Sequence, residues 1–180
     1  MNNKLEEILT SDYVVKEIYN NLDYLLEIIP ELKMTISFDQ KHPHHHLDLF
    51  EHTLAALSLS PNSFEVRIAI LLHDIGKPYE FTDTEVRHYP NHATISSHIA
   101  KNILTRLGYD KKSVDEICLM IKYHDTNLLN LNDKAFLNKM YIIQYCDIYA
   151  HNPKYLSKRI KYLKILENKI GGSCEENKKN

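Results

Sequence analysis

The chain of 180 residues has no tryptophan, only four glycines and only three cysteines. So few glycines exclude a collagen-like repeat, and with twelve tyrosines the composition is that of a helical chain with few loops. Cys118, Cys146 and Cys174 are odd in number, widely spaced and form no CxxC pair. That excludes a disulfide framework and a cysteine zinc knuckle, and it predicts free thiols in a reducing compartment. No run reaches the ~18–20 apolar residues of a membrane-spanning helix. The stretch Ile68-Ala69-Ile70-Leu71-Leu72 is far too short. The first residues show no basic segment leading into an apolar run, so no secretion signal is expected and the expected location is cytoplasmic. An apolar fraction of 43% against 26% charged excludes disorder. Strong charge of one sign is also lacking, since 22 Lys+Arg face 24 Asp+Glu for a formal −2. This argues against a dedicated, strongly basic nucleic-acid binder, although it is compatible with a local basic patch.

Histidine is what the chain has in excess. There are eleven, and their protonation is the open part of the charge near neutral pH.

The apolar periodicity is helical almost throughout. Val14, Ile18, Leu22, Leu25 and Ile29 recur at three- and four-residue spacings and predict one amphipathic helix over 12–29, closed by Pro30. Asp48 is placed to cap a helix over about 49–59, and Asn62 or Ser63 the next, over about 63–74. A helix over about 91–107 ends at Gly108, and Asp110 opens another over 111–124. Asn132 or Asp133 caps 134–150, and Asn152-Pro153 starts a last helix reaching Ile170. Segments 35–47 and 76–91 read as loops rich in turn residues and histidine, and 171–180 as a flexible tail. The expectation is one all-α domain over 1–170, its core at about 47–150 with flanking helices on both sides.

The sharpest local signal is Ala69-Ile70-Leu71-Leu72-His73-Asp74-Ile75-Gly76-Lys77, an apolar helix running into an adjacent His-Asp pair. Imidazole and carboxylate buried side by side are costly unless satisfied, and a divalent cation satisfies both. The pair alone equally describes a helix end with His73 on the dipole and Asp74 in a turn. His52, one helix upstream, and Asp147, near the end of a later apolar helix, shift the balance: three helices can bring His, His-Asp and Asp to one point in a bundle interior.

The ordered series His52, His73-Asp74, Asp147 resembles the HD-domain superfamily of metal-dependent phosphohydrolases over about residues 22–165. It is similar in particular to the HD domain of bacterial CCA-adding tRNA nucleotidyltransferases. The matching segments are Ile29-Pro30-Glu31-Leu32, Leu49-Phe50-Glu51-His52-Thr53-Leu54, Arg67 through Pro78, and Arg87-His88-Tyr89-Pro90-Asn91-His92 with Ser96-Ser97-His98-Ile99-Ala100. That family usually has Gly before the position of His92 and an acidic residue after it, where this chain has Asn91 and Ala93. The nucleotidyltransferase head itself is not seen, so a stand-alone HD domain is expected.

The resemblance implies a compact helical HD-domain bundle with the metal site between core helices. It implies one or two divalent ions (Mn, Fe, Ni, Zn or Mg) held by His52, His73, Asp74 and Asp147. His92 and His124 fit the slots that two-metal members use, with Asp74 bridging. Lys77, His88 and Arg67 are the expected phosphate contacts, a structural ion pair being the equal alternative for Arg67, and Asp74 is the expected proton acceptor when an activated water attacks phosphorus in line. The expected substrate is a small phosphate ester, a nucleotide above all, with RNA a lesser expectation and no membrane partner. The rival expectation is a non-catalytic nucleotide- or RNA-binding module with a structural metal, supported by the basic last helix with Lys158, Arg159, Lys161 and Lys164. Among the other histidines, His42, His44, His45 and His46 read as a pocket rim, His98 as surface or packing, and His151 as a helix end.

Overall fold

The computed structural model describes residues 3–82 and 84–171. Nine α-helices and no strand occur among the described residues. They are α1 (Asn3–Leu9), α2 (Val14–Asn20), α3 (Leu22–Ile28), α4 (Leu49–Ser58), α5 (Phe64–Leu72), α6 (His92–Arg106), α7 (Lys111–Tyr123), α8 (Lys134–Ala150) and α9 (Ser157–Gly171). Short 3₁₀ turns stand at Pro30–Met34, Lys77–Tyr79 and Pro153–Tyr155. No helix among the described residues is long and apolar enough to cross a membrane. Cys118 and Cys146 are free thiols, while Cys174 and the expected tail beyond Gly171 lie outside the described residues.

The caps explain most boundaries. Asp48 accepts from the Glu51 amide at 3.0 Å, and Asp110 from Lys112 and Ser113 at 3.0 and 3.1 Å. Of the paired alternatives, Ser63 accepts from Val66 at 3.5 Å, and Asp133 accepts from Phe136 at 3.1 Å. Gly108 closes α6 with φ 81°, the left-handed conformation that glycine adopts without strain.

Three expectations are corrected and one helix is added. The single helix over 12–29 is two, because Asn21 leaves helical geometry at φ −118°, ψ 22°. Its side-chain amide donates to the Glu17 carbonyl at 2.9 Å, offering the backbone an alternative to the helix ladder. A helix also precedes it, since Leu5, Ile8 and Leu9 already carry the spacing that buries one face of α1. The helix expected over 63–74 ends at Leu72, after which Ile75 bonds Leu72 in a tighter turn at 3.3 Å. That turn frees His73 and Asp74 from the helical register. The last helix is divided into the 3₁₀ turn after Asn152 and α9.

Helix α5 is the axis of the core. Every residue from Val66 to Leu72 is buried, the signature of a helix surrounded on all sides. It packs against α1, α4, α7 and α8. Each large apolar side chain buried there contributes about 1.5–3 kcal/mol. One apolar cluster runs from Leu5 in α1 through α5 to Leu166 in α9. A smaller one joins Ile148, Leu156 and Leu163 beneath α9.

Arg67 lies inside this axis and is 4% exposed. It donates to the carbonyls of Leu9 and Ser11, both at 2.7 Å, and to the Ser60 hydroxyl at 3.1 Å. The expectation that it contacts phosphate is therefore corrected. Its guanidinium ties the α1–α2 link to the end of α4, beside a cleft lined by Tyr13, Lys16 and Tyr19 rather than by the histidines. Arg67→Met leaves those oxygens buried without donors, so urea denaturation should show a loss of about 2–3 kcal/mol. A loss below a few tenths would contradict this structural role.

Candidate metal centre

Six residues expected as ligands converge. His52 comes from α4, His73 and Asp74 follow α5, His92 opens α6, His124 follows α7, and Asp147 belongs to the last turn of α8. Candidate ligand atoms of His52, His73 and Asp74, and separately of Asp74, His92 and His124, lie within 4.8 Å of one another.

Asp74 stands between the two groups. Its Oδ2 lies 3.2 Å from His73 Nε2 and 3.8 Å from His52 Nε2. Its Oδ1 faces His92 Nε2 at 3.4 Å and His124 Nε2 at 3.5 Å. Asp147 Oδ1 closes the first group, 2.9 Å from His52 Nε2 and 3.6 Å from His73 Nε2.

The backbone decides which nitrogen of three of the rings carries hydrogen. Nδ1 of His73, His92 and His124 donates to the carbonyls of Ile70, Tyr89 and Ile121, each at 2.7 Å. His52 differs: its Nε2 lies 2.9 Å from Asp147 Oδ1, closer than its Nδ1 lies to the Ala150 carbonyl at 3.3 Å, and can donate there. A carbonyl only accepts, so in the neutral rings of His73, His92 and His124 Nε2 is a lone pair. Those lone pairs face carboxylate oxygens and, between His92 and His124, each other at 3.2 Å. Such a set repels itself unless positive charge lies among it. His73 Nε2 and Asp74 Oδ1 are buried and make no hydrogen bond among the described residues. The donor set, imidazole nitrogen with carboxylate oxygen, fits a divalent first-row cation or Mg²⁺.

The titration behaviour has the same origin. Burial opposes charge on His73, yet Asp74 and Asp147 outweigh it and raise its pKa to about 10. Asp74 loses solvation too, but His73, Lys77 and His124 hold its carboxyl well below the usual range. Asp147 is held low in the same way against its burial, first by His151 and then by His52. Burial outweighs Asp74 at His92 and lowers that imidazole.

His151 is more than the helix end expected. It is 4% exposed, with its ring against those of His45 and His52. It approaches Asp147 Oδ1 at 3.6 Å, but its Nδ1–H is committed to the Asp147 carbonyl at 2.7 Å. Its Nε2 accepts from Arg159 at 3.2 Å. Both nitrogens are used, so His151 buttresses Asp147 and is not a ligand. The Asp147-x-x-x-His151 spacing, which puts both on one helix face, was the signal available in the sequence.

A cavity of about 130 Å³ opens over Asp74 and Asp147. Lys77 lies in its wall, 5% exposed, with Nζ 2.7 Å from Asp74 Oδ2 and 2.9 Å from Gln40 Oε1. His88 is exposed at the rim, and His42 and His45 line the same opening. Arg87 and Arg159, neither of them expected at this site, complete its positive wall. Arg87 packs its guanidinium over the ring of Phe81 at 4.3 Å. From sequence Arg159 is only one of the cations of the basic last helix, and no periodicity separates it from Lys158, Lys161 and Lys164. His98 is exposed on α6, and His46 faces a separate cleft.

Comparison with known proteins gives the class to which this helical chain belongs. The HD domain family model matches residues 44–165, and the chain belongs to that family, placing it in the metal-dependent phosphohydrolase superfamily. An A-adding tRNA nucleotidyltransferase of Deinococcus radiodurans is 36% identical over 92 residues, covering 47% of this chain and 21% of that protein. A CC-adding tRNA nucleotidyltransferase of Thermus thermophilus is 35% identical over 104 residues, covering 53% and 24%. A multifunctional CCA protein of Halorhodospira halophila is 30% identical over 112 residues, covering 60% and 27%. The chain thus spans about a quarter of the length of these relatives.

Gly76 lets α6 approach the His-Asp turn. A Cβ there would lie 2.6 Å from the Ser96 nitrogen and 2.7 Å from the His92 carbonyl oxygen, both backbone atoms. The Gly76 amide also donates to Ser96 Oγ at 2.9 Å. Gly76→Ala should therefore cost about 1–3 kcal/mol of stability in urea melts. By displacing His92 it should weaken Zn²⁺ binding on the His92–His124 side first in calorimetric titration. An unchanged isotherm would refute this account of the glycine.

Proposed function

We propose that the chain is a metal-dependent phosphohydrolase acting on a nucleotide or related small phosphate ester, whether monoester, cyclic phosphate or dinucleoside polyphosphate. One observation carries this reading: a buried carboxylate, Asp74, lies between two sets of imidazole nitrogens beneath a pocket with a cationic wall. His52, His73, Asp74 and Asp147 would hold one divalent ion, and His92 and His124, sharing Asp74, a second; Mn, Fe, Ni, Zn and Mg suit these donors. Such ions supply charge that makes a water more acidic and stabilises phosphoryl oxygens.

The chain's own groups position the rest. Lys77 gives two of its three hydrogens to Asp74 and Gln40, leaving one for a phosphoryl oxygen. Because it is buried, that contact is little screened by water. Arg87 and Arg159 extend the positive wall toward the remaining phosphate oxygens, with His88 at the rim. Asp74, whose Oδ1 has no hydrogen-bond partner among the described residues, would accept the proton of the attacking water, and the departing oxygen would take up a proton in turn from Asp74 or solvent.

The test is release of phosphate from a panel of nucleoside monophosphates, cyclic nucleotides and dinucleoside polyphosphates, using protein loaded with each metal. His52→Ala, Asp74→Ala and Asp147→Ala should each lower turnover by on the order of 10²-fold or more. Turnover that survives these changes overturns the mechanism. The relatives named for tRNA support a second reading, a nucleotide- or RNA-binding module with a structural metal. Steeply salt-dependent RNA binding without hydrolysis of any ester would establish that reading instead.

A further inference from the structure

The pocket over Asp74 adjoins a second cavity of about 270 Å³, and His124, Asp125, Asp147 and Arg159 line both. The two differ in chemistry. The first is ringed by imidazoles, carboxylates and cations. The second shares four of these charged or ring groups and adds Lys158, but Ile148 and the ring of Tyr162 make more of its surface apolar than polar, with Thr126, Asn127 and Gln144 beside them.

The aromatic wall is fixed in place. Tyr162 donates its hydroxyl hydrogen to Gln144 Oε1 at 2.8 Å, and the Tyr162 hydroxyl oxygen accepts from the Leu128 amide at 3.1 Å. Gln144 Nε2 donates to the Thr126 carbonyl at 2.8 Å. A ring held this way presents a flat face whose ordering cost has already been met on folding. Donors remain free at the edge. Asn127 Oδ1 accepts from the Leu129 amide at 3.0 Å, while its two amide hydrogens have no acceptor among the described residues. The Thr126 hydroxyl likewise makes no hydrogen bond among them.

We propose that this second cavity is the leaving-group subsite and holds the nucleoside of a nucleotide whose phosphate lies against Asp74. A flat rigid face with amide donors at its edge suits a heterocycle, which has an apolar face and polar rim. A purely inorganic substrate such as pyrophosphate gains nothing from a carbon wall. Arg159, common to both cavities, stands where the phosphate ester joins the sugar. The assignment rests on the phosphohydrolase reading, but binding tests it without turnover.

The experiment is amide chemical-shift mapping of the full chain, titrated with adenosine 5′-monophosphate, adenosine and inorganic phosphate, with and without Mg²⁺. The monophosphate and adenosine should shift the amides of Thr126, Asn127, Leu128 and Tyr162, whereas inorganic phosphate should shift those around Lys77 and leave the former in place. Thr126→Trp, at an exposed position away from the core, should plug the cavity and weaken the monophosphate at least tenfold. Nucleotide shifts confined to the Lys77 side, no shifts at all, or unchanged affinity in Thr126→Trp would each overturn the subsite. Mapped binding without hydrolysis of any ester would keep the subsite and remove the phosphohydrolase reading.

Discussion

A buried carboxylate facing imidazole nitrogens that carry no hydrogen is the constraint on which the rest of this structure depends. The neutral tautomers of His73, His92 and His124 are set by backbone carbonyls, not by the carboxylates they face. Each ring is therefore turned with its lone pair toward Asp74 or Asp147. Positive charge must enter the set, as a proton or as a cation. The raised pKa of His73 is the proton's version of that demand, and Lys77 at 2.7 Å from Asp74 meets part of it with a fixed ammonium. A divalent cation on each side meets all of it and relieves the close approach of His92 to His124.

The fold holds these groups so that they cannot relax apart. His73 and Asp74 extend from a helix buried on every side, so the turn carrying them is fixed by the core. Asp48 and Ser63 start α4 and α5 at defined residues, which sets where His52 and His73 fall. Gly76 brings the first turn of α6 into backbone contact with the same turn, and His92 with it. His151, braced by Arg159, fixes the end of α8 behind Asp147. Local chemistry at caps and one missing Cβ is thus converted into distances of about 3–4 Å at the centre.

Much of this was legible in the residues. Helices α4 to α8 follow from apolar period and capping residues, because both are local and the caps satisfy orphan amides. Four of the ligand candidates, His52, His73, Asp74 and Asp147, follow from the apolar helices that carry them, and His92 and His124 from the family resemblance. What was not legible depended on competition or on contacts distant in sequence. Asn21 breaks a continuous apolar period because its side chain rivals the helix ladder. Arg67 sits six residues before His73 in an otherwise apolar helix, and only folding shows that its partners are the Leu9 and Ser11 carbonyls and Ser60. Arg159 looks like one of several solvated cations until α9 packs against α8. His151 was the exception: its four-residue spacing from Asp147 was available and carried meaning.

The central claim is that cations belong on both sides of Asp74. Crystals grown without metal, soaked in Mn²⁺ and measured at an anomalous wavelength, test it directly. Two peaks should appear, one among His52, His73, Asp74 and Asp147, the other among Asp74, His92 and His124. A map with no peak at either place, and Lys77 still closed on Asp74, would contradict it.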